Sequence, residues 1–202
     1  MKIGLVPISA KPYHVGHHAL VELAASQNDR VLLFVSISDR SRKEEFPISG
    51  KDMLRIWQDH LEAIMPGNVS IEYGGSPVRK VYEEIGKACE EGSDDTYMVY
   101  SDPEDTATNY PQDYKDKYMQ PLCDSGQVKF AGETDPDSVT RGVGTPDVSG
   151  TQARKYLKSG DFTSFMSVMP AGVDGKSVFD ILTAEFKNEN VLKNYVSAIL
   201  KM

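Results

Sequence analysis

Cysteine is scarce in this chain of 202 residues. The two present, Cys89 and Cys123, lack CxxC spacing and make neither a disulfide framework nor a zinc set. Cys89 falls in a helical pattern and reads as a small core residue. Long apolar runs are missing too. None approaches the roughly 20 residues that span a bilayer, and the N-terminus lacks a signal-peptide pattern. A cytoplasmic protein with no membrane partner is therefore expected. Positive charge is in deficit, with 22 Lys and Arg against 30 Asp and Glu, a formal net charge of −8 and a pI near 5.0. That balance argues against a broad nucleic-acid-binding surface, although a nucleotide substrate needs only a local basic pocket. Internal repeats and low-complexity tracts are absent. The length suits one domain with a substantial core, or one domain plus a small appendage.

What is present is organised around Lys11-Pro12-Tyr13-His14-Val15-Gly16-His17. Upstream, Lys2 to Ile8 is a short apolar run that reads as a first strand. Downstream, Ala19, Leu20, Leu23 and Ala24 recur at helical spacing, which starts a helix near Gly16. His14 and His17 therefore stand where a strand hands over to a helix. Free N–H groups and the helix dipole favour an anion at such a place, and Gly16, without a Cβ, lets the backbone approach a ligand closely. Other readings of the same residues are a metal site or a polar surface turn.

The rest of the chain alternates strand and helix. Val31 to Ile37 is a continuous apolar run, as in a strand buried on both faces. The charged segment Ser38 to Glu45 follows it, and ligands in open parallel sheets bind outside such strand ends. Asp39 and Arg40 are therefore substrate candidates, with a solvated loop as the other reading. Ser49 caps a second helix whose apolar stripe is Met53, Leu54, Ile56, Trp57, Leu61 and Ile64, with Trp57 read as core. Val69 to Tyr73 is a third strand, Pro77 opens a third helix, and Thr96 to Tyr100 is a fourth strand ending at Ser101-Asp102. From Pro103 to Asp147 the pattern weakens and reads as a long loop or lid with a short helix at 118–123 and a strand at 128–131. Arg141 is its one basic residue with some reach toward a phosphate. Ser149 caps the next helix, and Phe162 to Met169, Val178 to Phe186 and Val191 to Leu200 read as C-terminal helices. The fold expected is α/β, a doubly wound parallel sheet with C-terminal helices.

His14-Val15-Gly16-His17 after a first strand resembles the HxGH motif of the nucleotidylyltransferase superfamily, which includes nicotinamide mononucleotide, pantetheine-phosphate and glycerol-phosphate nucleotidylyltransferases. Val148-Ser149-Gly150-Thr151-Gln152-Ala153-Arg154 resembles that superfamily's second motif, hydrophobic-Ser-Ser/Gly-Thr-x-x-Arg. The resemblance runs from Lys2 to about Leu157 and implies a domain over 1–160, with 161–202 as a helical extension packed on it. It implies attack by an acceptor on the α-phosphate of a nucleoside triphosphate, with His14 and His17, aided by Lys11, at the reacting centre. Pro7, Ile8, Ser9, Gly16 and Asp102 would line the nucleotide, and Ser149, Gly150, Thr151 and Arg154 would grip the departing phosphates. Asp39, Arg40, Lys51 and Arg55 would face a small phosphorylated acceptor. Tyr100 stands where relatives often carry glycine and narrows the space.

Magnesium is expected on the phosphate oxygens, with no protein metal site. ATP with an acceptor such as nicotinamide mononucleotide is favoured. Cytidylyl-transferring relatives usually carry Arg-Thr-Glu-Gly-Ile-Ser-Thr where this chain has Thr145-Pro146-Asp147 ahead of the motif. The alternatives are a cytidylyltransferase acting on a sugar or polyol phosphate, a non-catalytic nucleotide-binding module, and a metal-dependent hydrolase using His14, His17 and His18. An aminoacyl-tRNA synthetase is disfavoured, because the chain is short and acidic. A homo-oligomer is left open.

Overall fold

In the computed structural model, residues 1–184 are described. Five strands form one sheet, β1 (Lys2–Ile8), β2 (Arg30–Val35), β3 (Val69–Tyr73), β4 (Thr96–Val99) and β5 (Val128–Phe130). Their order is β3-β2-β1-β4-β5 and every pairing is parallel. This is a doubly wound, Rossmann-like sheet. The direction of winding reverses between β1 and β4, which leaves a crevice at their carboxyl ends.

Side chains alternate across each strand, so the apolar runs feed two cores at once. Ile3, Leu5, Leu32, Phe34 and Val99 join one core with Val81 and Ile85 of α3 (Pro77–Glu91). Val6, Ile8, Val31, Leu33 and Val35 join the other. That second core takes Val21 and Ala24 of α1 (Val15–Gln27) and Met53 and Ile56 of α2 (Gly50–Ile56). Trp57 lies in it, fully buried, as expected. Cys89 and Cys123 are free thiols, partly buried against the first core. Ser49 caps α2 by accepting from the Asp52 amide at 3.4 Å.

The segment 103–147, expected as a long loop, holds regular structure instead. It folds as α4 (Pro103–Asn109), α5 (Gln112–Tyr118), β5 and the short α6 (Ala131–Thr134) and α7 (Pro136–Val139). The expected helix at 118–123 is a run of turns, and the helix lies just before it. The expected strand is β5. Tyr110, Met119, Leu122, Val128 and Phe130 bury against the α3 core, which fastens this segment to the sheet.

After it come α8 (Gly150–Ser159), α9 (Phe162–Ser167) and a helical stretch over 175–184. Phe165, Val178, Phe179 and Leu182 pack into the α1 core. The expected helix at Val191 to Leu200 lies outside the described residues. No helix among the described residues is long and apolar enough to cross a membrane.

Candidate functional site

The turn between β1 and α1 is built by its own side chains. Ala10 leaves the strand with a φ of 46°, a left-handed conformation uncommon outside glycine. His14 then serves as the N-cap of α1, its Nδ1 accepting from the Gly16 amide at 3.2 Å. With Nδ1 an acceptor, the neutral ring carries its proton on Nε2. The Val15 amide donates to the Val168 carbonyl at 2.9 Å, and the His17 amide has no partner among the described residues. A Cβ on Gly16 would sit 3.1 Å from the His14 ring and 3.5 Å from the Pro146 carbonyl oxygen. Glycine there lets the second-motif segment close onto the turn.

The two imidazoles stack, with ring centroids 3.8 Å apart. Tyr13 covers the His17 ring at 5.6 Å. His14 is buried, and burial followed by the Arg141 and Arg154 charges pushes its pKa down to about 4. Burial, His14 and Arg141 hold His17 well below its ordinary value. Both rings are therefore neutral at pH 7. The Nδ1 of His17 is buried without a hydrogen-bond partner, and such a buried polar atom calls for an explanation.

A cleft of about 400 Å³ opens over these rings at the β1–β4 switch point. Pro7, Ile8, Ser9, Gly16 and Asp102, expected at the nucleotide, all line it together with His14 and His17. Arg141, whose guanidinium has no hydrogen bond or ion pair among the described residues, lines it too, as do Asp105 and Asn109. Nothing in sequence spacing points to Asp105 or Asn109; they arrive with α4. Asp102 caps α4, accepting from the Asp105 amide at 2.8 Å. Burial, then Asp102 and Glu104, raise the Asp105 pKa. Tyr100 also lines the cleft. Its ring is buried, and its hydroxyl donates to Gln27 and accepts from Asn28 at the far end of α1.

Lys11, Asp39 and Arg40 line a neighbouring cavity of about 270 Å³ with Ser9 and Arg42. The Lys11 ammonium is buried and donates to the Ser38 carbonyl, to Ser38 Oγ at 3.0 Å and to Ser36 Oγ at 3.3 Å. These acceptors are neutral, and burial lowers its pKa. Asp39 accepts from the Gly50 amide at 2.7 Å. Arg40 makes a two-pronged pair with Glu45. Lys51 and Arg55 line neither cavity; they are exposed on α2, where Arg55 pairs with Asp59.

The second motif comes close to the histidine turn through its backbone and through Arg154. Ser149 caps α8, accepting from the Gln152 amide at 3.1 Å. Arg154 is only 5 % exposed. It donates to the Lys11 carbonyl at 2.6 Å and to Thr151 Oγ1 at 2.9 Å, and its Nε lies 3.1 Å from Glu45. Expected as a grip on departing phosphates, this guanidinium is committed to protein partners and lines neither cavity. Ser149, Gly150 and Thr151 likewise stand outside both. The cation that faces the rings from the cleft wall is Arg141.

No group of three His, Cys, Asp or Glu residues among those described could hold a metal ion. No curated protein sequence matches the chain. A family model described as the citrate lyase ligase C-terminal domain matches residues 3–69, about a third of the chain. That stretch runs from β1 through the histidine turn and α2 to the start of β3, and the matched family belongs to the HxGH nucleotidyltransferase-like superfamily.

Proposed function

We propose that the protein is a nucleotidylyltransferase. The observation that carries this reading is the His14–His17 pair, neutral, stacked and set at a helix N-terminus beneath a cleft at the sheet's switch point. In the proposed reaction an acceptor oxygen bonds to the α-phosphorus of a nucleoside triphosphate. The bond from that phosphorus to the bridging oxygen breaks, and the electron pair leaves with pyrophosphate. Catalysis of this kind rests on positioning and on donors aimed at the phosphoryl oxygens. His14 Nε2–H and the free amide of His17 are such donors, and Arg141 adds a charge. Magnesium would arrive as part of the metal–triphosphate substrate, bound mainly by phosphate oxygens.

ATP is the favoured triphosphate and nicotinamide mononucleotide the favoured acceptor, the latter on motif likeness alone. Lys11, Arg40 and Arg42 make the neighbouring cavity suitable for the anionic end of an acceptor. A second reading comes from the word ligase in the matched family: a carboxylate acceptor would suit the same cationic cavity and give an acyl adenylate. The test is a pyrophosphate-release screen crossing the four nucleoside triphosphates with phosphorylated and carboxylate acceptors. Release from ATP with nicotinamide mononucleotide, and dinucleotide formed, is the expected result. Release from CTP with a polyol phosphate would move the protein to the cytidylyl branch, and no release with any pair would overturn the reading.

A further inference from the structure

A second and larger hollow, of about 620 Å³, opens beside the histidine cleft. It runs between the start of α3 and the helices α4 and α5. The two spaces share Ser76, Val78 and Asn109 as wall and so lie side by side.

Tyrosines dominate the groove. Tyr82, Tyr114 and Tyr118 meet edge to face, with centroids 5.8 to 6.3 Å apart and interplanar angles of 70° to 87°. Tyr114 is 50 % exposed and Tyr118 45 %. Two large aromatic rings left open to solvent on adjacent turns of one short helix contribute little to the core. Tyr82 is held in place, its hydroxyl donating to the Asn109 carbonyl at 2.8 Å. The side-chain amide of Asn109 has no hydrogen bond among the described residues. One donor and one acceptor thus stand free at the junction of cleft and groove.

We infer that this tyrosine groove binds the planar heteroaromatic ring of a phosphorylated substrate whose phosphate lies at the histidines. Perpendicular tyrosines offer such a ring one face to stack on and one edge to abut. The Asn109 amide suits the polar edge of a heterocycle, with its adjacent donor and acceptor atoms. A purely aliphatic or polyol substrate would gain nothing from these rings. The assignment rests on the nucleotidyl-transfer reading for the position of the phosphate. The ring belongs either to the triphosphate's base or to the acceptor.

Equilibrium binding of four probes separates these cases: ATP, inorganic tripolyphosphate, nicotinamide mononucleotide and ribose 5-phosphate. Each is measured with magnesium on the parent protein, Tyr118→Ala, Tyr114→Ala and the Phe variant at each position. Base–aromatic stacking loses roughly tenfold or more in affinity on truncation. One ring-bearing probe should therefore weaken about tenfold in the Ala variants and stay within about twofold in the Phe variants. Its ring-free counterpart should be unchanged throughout. Loss confined to ATP assigns the groove to the base, and loss confined to nicotinamide mononucleotide assigns it to the acceptor. Equal effects on ring-bearing and ring-free probes, or none on either, overturn the inference, as does a parent protein that binds no probe. His17→Ala tests the underlying reading separately. If pyrophosphate release persists at the parent rate in that variant while the tyrosine variants still discriminate, the histidine placement fails and the groove stands.

Discussion

The His17 ring lies against the His14 ring at 3.8 Å, and its Nδ1 is sealed from solvent without a partner. A buried nitrogen left unpaired costs about 1–3 kcal/mol, so the arrangement persists because the surrounding packing imposes it. In the proposed reaction, charge developing on the α-phosphate strengthens hydrogen bonds from these rings and from the adjacent amide. His17→Ala should lower turnover about 10²–10³-fold while changing triphosphate affinity much less. Steady-state rates beside direct ATP binding give the comparison. Equal losses in both would make His17 a ground-state ligand only.

Acid should weaken the fold through the same pair. His14 in the folded chain titrates at about 4 against an ordinary 6.5, and His17 is also depressed. Below pH 6.5 the unfolded chain takes up protons that the folded chain refuses. Stability is therefore full above pH 7 and falls as the pH drops toward 4, by about 3 kcal/mol from His14 alone. Thermal midpoints from pH 7.5 to 4.5 should fall in the parent and fall less steeply in His14→Asn. A polyanion in the cleft reverses the sign, since it favours the imidazolium forms. Tripolyphosphate should bind more tightly at pH 6 than at pH 8, with protons taken up on binding.

The parts of this molecule that were legible in sequence are those whose local chemistry is also their structural reason. β1 and β2 show as apolar runs because both faces are buried. Ser49 and Ser149 are side-chain caps, and a cap is a local event. Segment 103–147 was opaque because α4 and α5 are seven residues each, PEDTATN and QDYKDKY, with no apolar stripe to give a helical period. Their anchors, Tyr110 and Met119, stand beside the helices rather than within them. The partners of Arg154 were also hidden. Its bond to the Lys11 carbonyl joins residues 143 apart, a contact that no spacing rule reaches. Arg141, by contrast, stood out in sequence as the basic residue of its segment with reach toward a phosphate, and it lines the cleft.

Gly50 is where the charged loop after β2 meets α2. A Cβ there would fall 1.7 Å from the Ile37 carbonyl oxygen, and backbone cannot yield as a side chain does. Gly50→Ala should destabilise by about 3 kcal/mol or more, a fall in melting temperature on the order of 10 °C. The hydrogen bond from the Gly50 amide to Asp39 would open too, so the second cavity should lose its shape. Calorimetry reads the first effect. A variant melting within about 2 °C of the parent would show that the loop has room to shift.

The two arginines nearest the histidines carry different tasks, and one pair of substitutions separates them. Arg154 is a strut: it ties α8 to the Lys11 carbonyl just before the histidine turn, with Glu45 balancing its charge. Removing it strands a carbonyl and leaves the partly exposed Glu45 with Arg40 alone to neutralise it. Arg154→Ala should therefore cost about 2–4 kcal/mol of stability, and Arg154→Lys should recover only part, lacking the planar fork. Arg141 is exposed and unpaired, so Arg141→Ala should leave the melting temperature within about 1–2 °C of the parent. Its loss should weaken tripolyphosphate binding by roughly three- to tenfold, the worth of one partly screened contact to a phosphate. Added salt should shrink that difference. The opposite pattern, with Arg154→Ala folding normally but binding triphosphate poorly, would mean that Arg154 leaves Glu45 and turns to the phosphates once they bind. The second motif would then act as the resemblance implies, and Arg141 would be a bystander on the cleft wall.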